Sequence, residues 1–182
     1  CSTFVNINIK HYIIPSGLFS AGLKPEDFVQ NFNIVPQIPV LMLICSSLGK
    51  KMATTSVILY ILIGLFFIPV FALGGGIPYL AEYSFGYIIA YIPAVVIGAS
   101  FLQKKYSFLN MFLATLSAVL IIHIFGIIYM SLVALIRHDN GAFIAGWIKS
   151  QSGIKIIYDL VISFVFVLIG KYINAFLKFV LK

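Results

Sequence analysis

The chain has 182 residues, of which 62% are hydrophobic and only 9% charged, and its mean hydropathy is +1.10. A soluble domain carries about 25% charged residues, so a chain this apolar and this short is not a water-soluble globule, and its solvent is lipid. The formal charge of +7 comes from basic residues placed singly or in pairs between apolar runs, a distribution that argues against nucleic acid as a partner and for topology signals.

Residues 1–33 read as an extracytoplasmic segment and residues 34–182 as one transmembrane helical domain. The sequence opens on Cys1 rather than Met. Either Cys1 is the lipidated first residue of a mature lipoprotein, or the sequence starts at the tail of a membrane helix. The stretch "CSTFVNINI" reads as the end of an apolar run, which favours the second and places a helix ahead of Cys1.

Run length predicts five spans in chain order. They are roughly Val35 to Leu48, Met52 to Ala72, Phe85 to Leu102, Phe108 to Ile136, and Ile154 to Leu177. The first is short and opens on Pro36 and Pro39, and the fourth is long enough to need tilt. The alternation of barrel strands is absent, so the spans are helices and the fold class is an all-α membrane protein. Lys50 and Lys51, Lys104 and Lys105, and Lys171, Lys178 and Lys182 fall at one end of this arrangement. The positive-inside rule makes that end cytoplasmic. The glycine stretch at 74–76 and the stretch "RHDNGAFIAGWIKSQSG" are then outer loops.

Two constellations carry the candidate chemistry. In "PVFALGGGIPYLAEYSFGYIIAY", Gly74, Gly75 and Gly76 allow unusual backbone angles and close approach of a ligand. Phe71, Tyr79, Tyr83, Phe85, Tyr87 and Tyr91 surround them, rings of the kind that line apolar ligand pockets. A plain turn inside an aromatic interfacial belt accounts for the same residues. The second constellation is ionisable. His123 falls in the middle of the fourth span, and Asp159 near the outer start of the last, four residues after Lys155. Such groups at membrane depth face a cavity or a partner. The alternatives are a helix–helix hydrogen bond for His123 and an interfacial ion pair with Lys155 for Asp159. Gln37, Asn110 and Tyr129 are weaker candidates. The sequence shows neither metal-ligand spacing nor a nucleophile turn, so no cofactor and no enzymatic reaction is expected.

The glycine stretch resembles the BioY family, the substrate-binding membrane subunits (S components) of energy-coupling-factor (ECF) vitamin transporters. The family pattern "PVFxxGGGxxYxxEPTFGYLLGF" matches without gaps at Pro69, Val70, Phe71, Gly74, Gly75, Gly76, Tyr79, Glu82, Phe85, Gly86 and Tyr87. It departs at Tyr83 and Ser84, where the family has Pro-Thr, and at Ala90, usually Gly. "PQIPVLMLICSSLGKK", "ILYILIGLFFIPVF" and "IIHIFGIIYM" are similar to neighbouring family stretches, so the resemblance covers about Gln37 to Met130, with a weaker match at the last helix.

The resemblance implies a six-helix S-component bundle, with the first helix missing from this chain, in a bacterial plasma membrane. It implies biotin uptake, with ECF scaffold and ATPase subunits as partners. The implied substrate-binding set is Phe71, Gly74, Gly75, Gly76, Tyr79, Phe85, Tyr87, His123, Lys155 and Asp159. In the family, an Asp on the last helix is followed three residues on by a Lys. Here Asp159 is followed by Ile162, so the cation for the biotin carboxylate comes from elsewhere, with Lys155 and Arg137 as candidates. Two other readings stay open: an S component for another vitamin such as riboflavin or thiamine, and a membrane structural or assembly protein whose glycine loop is only a turn.

Overall fold

The computed structural model describes residues 7–12, 29–71, 74–104 and 107–180. Strands β1 (Ile7–Tyr12) and β2 (Val29–Ile34) pair antiparallel, with Ile7 opposite Ile34 and Tyr12 opposite Val29. The helices are α1 (Gln37–Phe66), α2 (Phe85–Ile89), α3 (Tyr91–Lys104), α4 (Phe108–Ile136), α5 (Gly141–Ser152) and α6 (Lys155–Val180). A short 3-10 turn, Ile77–Ala81, precedes α2. The helix expected ahead of Cys1, and Cys1 itself, lie outside the described residues.

α1 is two rods. Gly49 takes φ 77° and ψ 174°, a left-handed conformation that glycine reaches at no steric cost. In a straight helix Gln37 and Tyr60 would stand about 34 Å apart. Instead Gln37 Nε2 lies 3.3 Å from Tyr60 Oη, so the chain folds back at Gly49. The two arms correspond to the first two predicted spans. The third predicted span is α2 and α3 in near continuity, interrupted at Ala90. The fourth matches α4 residue for residue, and the last matches α6 closely.

Contacts sort the loops by end. At one end Lys50 Nζ donates to Ser100 Oγ at 2.9 Å, and Asn174 Nδ2 donates to the Ser47 carbonyl at 2.7 Å. The Gly49 turn, the end of α3 and the end of α6 therefore gather where the lysines were expected. At the other end Arg137 donates to the Ala81 carbonyl at 2.8 Å, and the Tyr83 hydroxyl donates to Asp139 at 2.7 Å.

The stretch expected to be an outer loop is a helix. Asn140 caps α5, its side chain accepting from the Phe143 N–H at 2.7 Å. Phe143 and Trp147, one turn apart, both pack on Tyr83 at 5.3 Å between centroids. The glycines and polar residues of this segment hide the pattern. α5 also descends: Ser152, its last residue, hydrogen-bonds His123, which lies about 20 Å of helix before the end of α4. α6 therefore begins at depth rather than at the outer surface.

The bundle is apolar on both sides. Met42, Val95, Val119, Ile122 and Val167 are fully buried, and Ala94, Ala99, Ala114 and Ala118 let α3 and α4 approach closely. Outside, Phe66, Phe67, Phe125, Ile128, Leu132, Leu135, Phe176 and Phe179 are exposed, as suits a surface solvated by lipid tails. Glycines take rings across the interfaces. A side chain on Gly64 would strike the Phe71 ring, one on Gly86 the Tyr129 ring, and one on Gly126 the Tyr87 ring.

The glycine loop itself is held by backbone. Phe71 and Gly74 exchange two hydrogen bonds at 3.0 and 3.1 Å, and the Gly76 N–H donates to the Gly64 carbonyl at 2.9 Å. Gly74 and Gly76 have φ of 129° and 86°. A Cβ on Gly75 would sit 2.6 Å from Pro69 Cα and 2.7 Å from the Gly64 carbonyl. Those atoms are main chain and cannot swing aside. Gly75→Ala should therefore destabilise the protein by about 1–3 kcal/mol, read as a lowered melting temperature in detergent.

Candidate functional site

Four helices bring one polar chain together inside this apolar bundle. Tyr87 on α2 lies 2.8 Å, oxygen to oxygen, from Ser152 at the foot of α5. Ser152 Oγ is 2.9 Å from His123 Nδ1 on α4. His123 Nε2 is 3.3 Å from Asp159 Oδ2 on α6. A carboxylate only accepts, so His123 Nε2–H donates to Asp159. The Tyr87 ring also stands edge-on to the imidazole at 5.9 Å.

Burial here is complete. Asp159 is 0% exposed and His123 2%. Yet Asp159 Oδ1 has no hydrogen-bond partner among the described residues. Leaving a buried acceptor unsatisfied costs roughly 1–3 kcal/mol, and more when it is charged.

Asp159 thus lies deeper than the sequence suggested, because α5 occupies the residues expected to bring it to the interface. Nor does it pair with Lys155. The Lys155 ammonium lies 3.5 Å from Gln151 Oε1, and the side chain that meets Asp159 is His123.

The aromatic set forms a second feature beside the polar chain. Rings follow one another from Tyr60 to Phe71 (5.5 Å), Tyr79 (4.8 Å), Phe85 (6.3 Å) and Tyr129 (5.9 Å). Phe71, Tyr79 and Phe85 are buried. Gly74, Gly75 and Gly76 act on this row by close packing against the end of α1, which lays Phe71 over Gly64.

Tyr91 is tied to the aromatic row through Gln37. Its hydroxyl donates to Gln37 Oε1 at 2.8 Å, and Gln37 Nε2 in turn lies 3.3 Å from Tyr60 Oη. A cleft of about 120 Å³ opens beside it, lined by both arms of α1 and by Gln37, Tyr60 and Tyr91. At the outer rim, the Arg137 guanidinium lies 4.5 Å above the Tyr83 ring. A hydrogen bond with Tyr83 raises the pKa of Arg137 above its ordinary value, so it stays cationic.

Residues 24–179 match the family model described as the BioY family. The chain belongs to the BioY family. Among solved structures, the S-component for biotin from an ECF-type ABC transporter is similar, with a TM-score of 0.64 and 22% sequence identity, over 86% of this chain and 79% of that one. At that identity the likeness is one of fold, and this BioY chain has the S-component fold. No curated protein matches it.

Sequence reasoning missed Ser152, the central link of the polar chain, and Tyr60, which carries the aromatic row onto α1. Ser152 was readable only by recognising α5 as a helix that enters the bundle. Gln37, a weaker candidate from sequence, holds Tyr91.

Because His123 is the partner of a buried carboxylate, His123→Ala should destabilise this BioY protein by roughly 3–5 kcal/mol. The double replacement His123→Leu with Asp159→Leu should recover most of that loss. Denaturant or thermal unfolding in detergent measures both.

Proposed function

We propose that this protein captures biotin as the S component of an ECF-type transporter. It would work with separate scaffold and ATPase subunits in a bacterial plasma membrane, through one membrane domain spanning residues 34–182. The observation that carries the reading is the unpartnered Oδ1 of Asp159, fully buried in a chain of the BioY family.

Biotin has an apolar bicycle, a ureido group with N–H donors, and a carboxylate. The carboxylate of Asp159 accepts from a ureido N–H, and His123 holds it in place. Phe71, Tyr79, Phe85 and Tyr87 supply apolar and aromatic surface for the bicycle. Gly74, Gly75 and Gly76 act indirectly, by seating Phe71. Arg137 is engaged at the rim with the Ala81 carbonyl and Tyr83. Lys155, half-buried and one turn before Asp159, therefore receives the assignment for the ligand's carboxylate.

Labelled biotin should bind the purified full-length protein far more tightly than riboflavin or thiamine in the same panel. A dissociation constant no tighter than millimolar for biotin defeats the reading. Asp159→Asn should weaken biotin binding at least tenfold, and an unchanged affinity removes Asp159 from the site. Lys155→Ala should weaken biotin about tenfold but leave biotin methyl ester nearly untouched, as competition binding will reveal.

A further inference from the structure

Ser163 is a buried serine whose hydroxyl no contact among the described residues accounts for. It is 0% exposed, and its Oγ has no hydrogen-bond partner among the described residues. Hydroxyls on α1, α3 and α4 behave differently. Ser46 bonds the Met42 carbonyl at 3.0 Å, Ser47 that of Leu43 at 2.7 Å, Ser100 that of Val96 at 2.6 Å, and Thr115 that of Met111 at 2.9 Å. Each satisfies itself on its own helix, the usual solution in an apolar environment. Ser163 forgoes it.

Its placement gives the reason. Ser163 follows Asp159 by four residues on α6, so the two occupy adjacent turns of one face. Both are fully buried, and each presents an unsatisfied oxygen, Asp159 Oδ1 and Ser163 Oγ. One is an acceptor only, and the other is free to donate. A carboxylate acceptor and a hydroxyl donor one turn apart form a two-point reader. It is complementary to a group with an N–H beside a carbonyl, such as a cyclic urea or a lactam.

We propose that Ser163 is a specificity-determining residue that donates its hydroxyl proton to the carbonyl oxygen of the ligand's ureido group, while Asp159 Oδ1 accepts from the adjacent N–H. This rests on the biotin reading above and extends it to a residue that lies outside the glycine motif. The pair selects for the carbonyl as well as for the N–H. An analogue that keeps the donors but replaces the carbonyl loses one arm and meets a donor facing a donor.

The test uses purified full-length protein and three ligands: biotin, desthiobiotin, and 2-iminobiotin at neutral pH, where its guanidinium carries only N–H donors. Ser163→Ala should weaken biotin and desthiobiotin equally, by about tenfold, the loss of one neutral hydrogen bond. It should leave 2-iminobiotin unchanged or tighter, so the preference for biotin over 2-iminobiotin shrinks by about the same factor. Ser163→Thr, which keeps the hydroxyl, should retain the preference. If Ser163→Ala weakens all three ligands equally, or changes none, the assignment of Ser163 is overturned while the biotin reading stands. If the wild-type protein binds neither biotin nor desthiobiotin, the biotin reading falls and takes this inference with it.

Discussion

A carboxylate held inside an apolar bundle is the constraint around which this protein is arranged. Asp159 is stabilised there by His123, which is oriented by Ser152, which is in turn oriented by Tyr87. The four residues come from four helices. The polar chain is therefore also a tie: it fixes where the foot of α5 meets α4, and so how deep α6 begins. In water such a pair contributes little. Away from water each link is needed, since an unmatched group has no solvent to turn to.

The second organising element is steric. Glycines are usually read as sources of flexibility, and the run at 74–76 invites that reading. Here they act mostly by their size. Gly75 fits against the main chain of Pro69 and Gly64, and Gly64 accepts the Phe71 ring. The result is a row of rings from Tyr60 to Tyr129 whose spacing is set by backbone contact rather than by side-chain adjustment. Tyr91 extends this row through Gln37, which bonds both Tyr91 and Tyr60, to the short first arm of α1.

Most of the architecture was legible in the sequence. Apolar run length located the rods, because lipid demands continuous helix, and α4 matched end to end. Lysine placement sorted the loops correctly. The glycine motif carried the family, which the match over residues 24–179 bears out. What was not legible follows from one segment. α5 is neither long nor uniformly apolar, so hydropathy gives it the look of a loop. With α5 unseen, Asp159 was placed near the outer start of its span, where an ion pair with Lys155 was an open alternative. Spacing along one helix predicts neighbours on that helix, but not a histidine arriving from another. Ser163 escaped notice for a related reason: a serine in an apolar helix ordinarily satisfies itself, and only coordinates reveal one that does not.

The crossed packing of α2 and α4 has a mechanical consequence. Tyr129 seats on Gly86 and Tyr87 seats on Gly126, so each helix supplies both a peg and a notch, like a dovetail joint. Sliding or screwing one past the other would lift both pegs at once. These two helices therefore hold together as a single block.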